Sequence, residues 1–340
     1  MLKQLISRTT PKALKRMARK WQFRDLAAEI RKLSISDMGV SDGLAWVKCA
    51  DGPKFHGLLP DVHQRHLCQC LQGSIPVINE DCFYVVREIV ERYVVPRSIP
   101  GETVSNPSPY MPLRDPLNDF DFPMDRRREI ARIFKPSPGE VFVDVGAYMG
   151  FGTMRVAEHV GPTGKVVAFE SDITNLEILD RNLKENGFEN VIVVPKAVGD
   201  HVGTAKFFRD RGTNNSLRND VLGGLGINDT KEVTVDLTTV DAALKTLSIG
   251  SIDLANLTVN GGEIEAIVGM ADALASSPGL RITIAGWYKR GDGRRVCEVV
   301  EPQLRELGME IVIGRLGRVL AWKKGVGESK TDQKSSTTVS

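Results

Sequence analysis

No apolar run in this 340-residue chain approaches the length of a bilayer span, which argues against a transmembrane protein. The N-terminus has no apolar core of the kind that marks a secretory signal. Cysteine is scarce. Five in a chain of this length, an odd number, exclude a disulfide-stapled scaffold and fit reduced thiols in a cytoplasmic setting. Net charge is also small, at +2. What is present, 41% hydrophobic and 26% charged residues, is the composition of a globular protein with a packed core. The length allows one large domain plus an extension.

The charge is unevenly placed. Residues 1–32 hold ten Lys and Arg against Asp25 and Glu29, which leaves the rest of the chain net acidic. Thr10 and Pro11 suit a helix start, and Leu14, Met17, Ala18 and Trp21 then share a face. Such a helix either lies on a membrane surface or nucleic acid, or docks with a solvated basic face; a charge run is more often the latter. Residues 1–95 read as a basic, mostly helical extension, with helical apolar spacing over 80–94. Seven prolines between Pro96 and Pro123 predict an extended linker over 96–125. Residues 325–340, with two valines as their only apolar residues, predict a disordered tail.

Between these flanks, residues 126–324 alternate regularly. Helix 126–135 leads to strand 141–146, helix 150–160, strand 165–170, helix 173–186 and strand 191–196. A short β pair, 202–208 and 232–236, brackets a polar loop. Helix 238–247, strand 252–258, helix 262–275, strand 281–287 and helix 294–307 follow. Strands 310–315 and 318–323, joined at Gly317, are too close for a crossover and must form an antiparallel hairpin. This is an α/β domain on a seven-stranded mixed sheet.

The stretch VFVDVGAYMGFG, residues 141–152, places a glycine-rich turn between a buried strand and a helix start. It is not a dinucleotide loop. A dinucleotide loop is G-x-G-x-x-G, so that backbone N–H groups approach a pyrophosphate. Here the spacing is Asp144-x-Gly146-x-x-x-Gly150, with Tyr148 where a second glycine would stand. Asp144 would repel a phosphate but suits a cationic ligand. S-adenosylmethionine carries an ammonium and a sulfonium and no phosphate. Glu170, at the end of the next strand, is placed to accept hydrogen bonds from both ribose hydroxyls. Against this stands a plainer reading, in which the glycines only let helix and strand pack closely.

The runs FVDVGAYMGFGT, GKVVAFESDITNLEILDRNLKENG and VVPKAVGD, followed by NSL at 215–217, VDLTTVDAAL at 235–244 and SIDLANLTVNGGEIEAI at 251–267, resemble the FkbM family of S-adenosylmethionine-dependent methyltransferases. The resemblance implies a Rossmann-like class I methyltransferase fold with strand order 3-2-1-4-5-7-6. It implies methyl transfer to hydroxyls of sugars, glycans or related metabolites. It also implies a cofactor site of Asp144, Gly146, Ala147, Tyr148, Gly150, Glu170, Ser171 and Ala197, the last near the adenine. The chain departs from the family's usual K-I-D-V-E-G-A-E after the fourth strand. It has Asn256, Thr258 and Asn260 in place of the lysine, aspartate and first glutamate, and keeps Gly261 and Glu263. The fifth strand ends Ile284-Ala285-Gly286-Trp287, without the family's glutamate or histidine.

An alcohol acceptor needs its proton removed during attack. Thr258 and Asn260 can donate and accept hydrogen bonds but are not bases at neutral pH. Glu263, at a helix N-terminus, is expected in its charged, weakly basic form. Thr258, Asn260 and Glu263 are the candidate catalytic residues, with Asn260 suited to orienting a nitrogen acceptor. Asp200 and His201 read as a polar turn. His56, His63, His66, Cys68 and Cys70 fit no standard metal spacing, and no metal is expected. Trp287 to Arg295 sets two aromatics beside four basic residues, suited either to an anionic substrate such as a phosphorylated glycan or RNA, or to a solvent-exposed loop whose arginines cap the next helix. Three functions follow: a sugar or glycan O-methyltransferase, an RNA methyltransferase, and a cofactor-binding or partner-binding protein without turnover.

Overall fold

The computed structural model describes residues 27–28, 30–50, 52–71, 78–93, 124–210, 215–225, 227 and 230–325. The basic segment before residue 27, the proline-rich 96–123 and the tail beyond 325 lie outside the described residues. The chain divides into two compact units, Met1–Val94 and Val95–Ser340.

The first unit corrects the expectation of a mostly helical extension. Strands β1 (Ile35–Ser41), β2 (Leu44–Cys49) and β3 (Lys54–Gly57) form an antiparallel sheet in chain order. Asp42 and Gly43, at φ 54° and 75°, make the two-residue turn between β1 and β2. An Asp-Gly pair favours such a turn because both residues tolerate positive φ. Helix α1 (Val62–Leu71), a 3₁₀ turn (Glu80–Cys82) and α2 (Phe83–Glu88) follow, and the chain continues as a π-turn (Ile89–Tyr93). Phe83, Val85, Val86 and Ile89 are buried, so the apolar spacing over 80–94 does mark a packed helical segment.

In the second unit the elements run α3 (Met124–Ile133), β4 (Val141–Val145), α4 (Phe151–Val160), β5 (Lys165–Phe169), α5 (Ile173–Glu185), β6 (Val191–Val194), β7 (Ala197–Val198), β8 (Gly203–Arg209), α6 (Asn219–Gly224) and β9 (Lys231–Thr238). They continue as α7 (Val240–Thr246), β10 (Leu254–Leu257), α8 (Glu263–Val268), α9 (Ala271–Ser276), β11 (Arg281–Ile284), α10 (Val296–Glu306), β12 (Met309–Ile313) and β13 (Val319–Lys323). The main sheet has the order β12-β13-β11-β10-β4-β5-β6, which is 3-2-1-4-5-7-6 in the numbering of its own seven strands. Its strands are parallel except β13, antiparallel to both neighbours. This is the Rossmann-like class I methyltransferase arrangement. A second sheet, β7-β9-β8, holds the short β pair.

Alternate strand residues feed two cores. Val143, Val145, Val167, Ala255, Leu257, Ile282 and Ile284 face one layer, with residues of α7 to α10. Phe142, Val166 and Leu254 face the other, with Ile130 of α3 and Val156 and Val160 of α4. Arg281 ties α3 beneath the sheet: it donates to the carbonyls of Ile133 (3.0 Å) and Lys135 (3.2 Å) and pairs with Glu140 at 2.7 Å.

The single helix expected over 262–275 is broken at Gly269. A Cβ at Gly269 would lie 2.0 Å from the Gly199 carbonyl oxygen, so the chain passes too close there for any side chain. Asp241 restarts the helix by accepting from the N–H groups of Asp272 (2.8 Å) and Ala273 (2.9 Å). Among the described residues no helix is long and apolar enough to cross a membrane.

Candidate active site

The strand order reverses direction between β4 and β10, and open α/β sheets bind ligands at the carboxyl ends of strands at such a point. The loops leaving these two strands touch. Gly146, at φ 92°, has its Cα against the Thr258 carbonyl; a Cβ there would lie 2.1 Å from that oxygen. Gly150, at φ 84°, opens α4, and a Cβ there would lie 2.4 Å from Leu179 Cδ1 on α5. The glycines therefore serve both the turn and close packing, as the plainer reading required. Asn182, buried on α5, pins the loop by donating to the Met149 carbonyl at 2.8 Å.

The loop's N–H groups turn inward. Gly146 and Ala147 donate to the Phe169 carbonyl at 3.0 and 2.9 Å. Tyr148, held at φ 56°, donates to Glu170 Oε2 at 2.9 Å, and Gly150 donates to the Ala147 carbonyl at 3.0 Å. Donors that would cradle a pyrophosphate are thus already used within the protein.

Glu170 follows β5 and is the hub of this half. Besides the Tyr148 N–H it accepts from Ser171 (2.9 Å) and Asp172 (2.8 Å) through Oε1. A carboxylate offers about four acceptor positions, so roughly one remains for a ribose hydroxyl, not the two expected from sequence. Burial raises its pKa to about 7, outweighing the three N–H donors that favour the charged form. Asp172 caps α5 by accepting from Thr174 (3.0 Å) and Asn175 (3.1 Å), and it pairs with Arg209 at the end of β8. Ser171 is half-buried, with its N–H on Glu170. Ala197 is buried on β7, which pairs with β9 and not with the main sheet.

Asp144 lies one layer below the loop, at 1% exposure. It accepts from Thr153 on α4 (2.7 Å) and from Asn256 on β10 (3.0 Å). Asn256 in turn accepts from Thr283 on β11 (2.9 Å) and from Thr258 (3.4 Å). Strand register puts 144, 256 and 283 side by side. Asp144 thereby braces β4, β10 and α4 directly beneath the turn.

The loop after β10 holds Asn260 at φ 54°, a left-handed conformation that costs a non-glycine residue about 1–3 kcal/mol. Its amide joins two neighbouring segments. Nδ2 donates to the Asn215 carbonyl (2.7 Å) and Oδ1 accepts from the Tyr288 hydroxyl (2.6 Å). Glu263 is wholly buried and accepts from the N–H groups of Val259 and Gly261, both at 2.9 Å. Its expected charged, weakly basic form is corrected: burial raises its pKa to about 7, so desolvation outweighs both the helix terminus and the N–H donors. It clamps the loop from beneath.

The arginines after β11 are spoken for. Arg290 makes a two-pronged pair with Glu265 at 2.7 and 2.8 Å. Arg294 pairs with Asp292 at 2.8 Å and Arg295 with Glu298 at 2.9 Å. Trp287 stacks under Arg318, 5.0 Å from the ring centre. Asp200 and His201 form an exposed pair at 2.7 Å. Among the described residues no three His, Cys, Asp or Glu side chains converge as metal ligands; the side chains of His63 and Cys70 lie outside those described. Sequence reasoning gave Tyr288 a stacking role and assigned none to Ser216, although NSL stood out as a pattern. Asp172, a cap residue directly before an apolar-periodic run, was findable by that signal.

Residues 144–309 match the family model described as the methyltransferase FkbM domain. This domain belongs to the FkbM methyltransferase family. The crystal structure of the methyltransferase FkbM from Methylobacillus flagellatus KT is 13% identical, with 77% of this chain and 71% of that one covered and a TM-score of 0.38. Fibrillarin from Aeropyrum pernix, in complex with natively bound S-adenosyl-L-methionine, is 10% identical, covering 85% and 99% at a TM-score of 0.38. A SAM-dependent methyltransferase from Aquifex aeolicus is 14% identical, covering 61% and 90% at 0.32. No curated protein sequence matches the chain. For the FkbM domain, the cofactor is S-adenosylmethionine.

Proposed function

We propose that this chain is an S-adenosylmethionine-dependent O-methyltransferase whose acceptor is an uncharged, hydroxyl-bearing molecule, a sugar or glycan. One observation carries the acceptor class: the three arginines of the segment after β11, Arg290, Arg294 and Arg295, each pair with a carboxylate. A phosphate-bearing acceptor would have to compete with those acids. A nucleic acid would look for unneutralised basic charge, so the same pairing weighs against RNA. Neutral hydrogen-bonding groups, which suit hydroxyls, remain at the acceptor end.

The loop after β4 fits a cofactor without phosphate. Its N–H groups on Gly146, Ala147, Tyr148 and Gly150 donate within the protein, and Glu170 keeps an acceptor position for a ribose hydroxyl. When bound, S-adenosylmethionine supplies an electrophilic methyl group on a sulfonium that loses its charge on transfer. Gly146, Gly150 and Glu170 shape and hold the cofactor side. Thr258 and the loop through Asn260 and Glu263 fix the acceptor side against it and keep water out. The raised affinity of Glu263 for a proton sits where the acceptor loop is clamped, not at its surface. The acceptor's hydroxyl proton leaves to solvent as the methyl group arrives, with no buried carboxylate taking it, and positioning carries most of the rate. Cys49, Cys68, Cys82 and Cys297 are free thiols with pKa values raised by burial, in keeping with a reducing, cytoplasmic setting.

Calorimetry with S-adenosylhomocysteine and NAD, on wild type and Glu170→Ala, tests the cofactor half. The expected result is binding of the first, none of the second, and a loss of about tenfold or more in the variant. Labelled-methyl transfer to a panel of neutral oligosaccharides and to RNA tests the acceptor half. Transfer to RNA with steep salt dependence would refute the acceptor class, and binding without turnover on any acceptor would favour a partner-binding protein.

A further inference from the structure

The segment Asn215–Leu225 runs across the loops that leave β10 and β11 and is fastened along its length. At one end Asn260 fastens it by two bonds and is itself held by Tyr288. Its amide nitrogen donates to the Asn215 carbonyl (2.7 Å), its backbone carbonyl accepts from the Ser216 hydroxyl (2.8 Å), and its amide oxygen accepts from Tyr288 (2.6 Å). In the middle, Val221 occupies the space that Gly261 leaves; a Cβ on Gly261 would lie 2.6 Å from Val221 Cγ2. Beside it the Gly291 N–H donates to Asp220 at 2.7 Å, and Arg218 grips the same carboxylate at 3.0 Å. Ser216 joins β8 through a pair of backbone bonds with Phe208, at 2.8 and 3.0 Å, which is the shape of a hinge.

We infer that Asn215–Leu225 is a strap that closes the acceptor end of the site, that the chain Tyr288–Asn260–Asn215 is its latch, and that Tyr288 is a positioning residue acting through Asn260. This rests on the methyltransferase reading. The strap's polar bonds go to loops at the carboxyl ends of two strands, so it can lift about its Ser216–Phe208 pairing with the main sheet intact, exposing Val221 and Leu222, which are buried when it is closed. Opening admits the acceptor; closing fixes the β10 loop and excludes water.

Amide hydrogen exchange on the full chain saturated with S-adenosylhomocysteine tests the latch. Asn260→Gly keeps the left-handed backbone and removes the amide; Tyr288→Phe removes only the hydroxyl. Both are expected to speed exchange over residues 217–225 by about tenfold or more and leave α5 unchanged. The double variant should be no faster than Asn260→Gly alone, since Tyr288 works through Asn260. Strap amides exchanging at the wild-type rate, or strap and α5 speeding up together, would overturn the proposal. Wild type failing to bind S-adenosylhomocysteine would instead overturn the methyltransferase reading beneath it, whatever the strap does.

Discussion

The contact between the two loops of the site makes Gly146→Ala the sharpest test of the geometry. Two costs add there. The first is conformational: an alanine at φ 92° is left-handed, worth roughly 1–2 kcal/mol. The second is steric: the new methyl would sit 2.1 Å from the Thr258 carbonyl oxygen, which is backbone and cannot swing aside. Relieving it means pushing the β4 loop off the end of β10, an overpacking cost of roughly 1–3 kcal/mol. Gly187→Ala isolates the first cost, because Gly187 has φ 70° and a Cβ there would meet nothing within 4 Å. Thermal unfolding should therefore fall by about 2–5 kcal/mol for Gly146→Ala, roughly 5–20 °C for a domain of this size, and by about 1 kcal/mol for Gly187→Ala. Calorimetry with S-adenosylhomocysteine should show a loss of about tenfold or more only in the Gly146 variant, since only that loop shapes the cofactor side. Equal stabilities for the two variants, with equal affinities, would refute the claim that the loops touch.

Two further outcomes follow from the buried charges. Glu170 and Glu263 both have folded pKa values near 7 against 4.5 for the free group, so the folded state holds these protons more tightly. Their contribution is fully present below about pH 4.5 and is lost as pH rises through 7, by up to about 3 kcal/mol each. Denaturant midpoints across pH 4.5–8 should show that the wild-type advantage over Glu263→Gln shrinks as pH rises; an advantage that grows would contradict the burial argument. Arg281→Met leaves the Ile133 and Lys135 carbonyls without their donor and Glu140 without its partner, and should cost about 3–5 kcal/mol while leaving S-adenosylhomocysteine affinity unchanged. Loss of affinity with full stability would show that the sheet's far end reaches the site.

How much of this was legible in the sequence depended on how local the signal was. The elements of the second unit and its terminal hairpin followed from alternating periodicity and the short Gly317 connection, both local, while their order in the sheet came from the family resemblance. The cofactor loop was legible because Gly146 and Gly150 mark backbone requirements that few other residues meet. The sheet of the first unit was missed although Asp42-Gly43 is a hairpin signal, because basic helix-forming runs around it dominated the reading. The Asn260 latch was not readable. Its bonds join residues 28 and 45 positions apart, and no periodicity encodes them. Nor could burial of Glu263 be read, since a glutamate at a helix start is ordinarily exposed and charged.

That distinction changes what the departures from the family pattern mean. Read along the chain, Asn256, Thr258 and Asn260 look like lost catalytic charges. In the fold each has a hydrogen-bonding task that needs no charge. Asn256 donates to Asp144 while accepting from Thr283, and so bridges β4 to β11. Thr258 adds a hydroxyl to the same amide, and Asn260 ties the strap to Tyr288. A buried lysine and buried acids in these places would each need desolvation repaid by close pairing, whereas a satisfied neutral network meets the same positions without that cost. The three replacements therefore fit together as one change of the acceptor end from charged to neutral. Under the proposed function they change which acceptor the site suits, while Gly146, Gly150 and Glu170 keep the family's pattern. A site remade in this way predicts selectivity for uncharged hydroxyls, and the missing acids are no argument that methyl transfer has been lost.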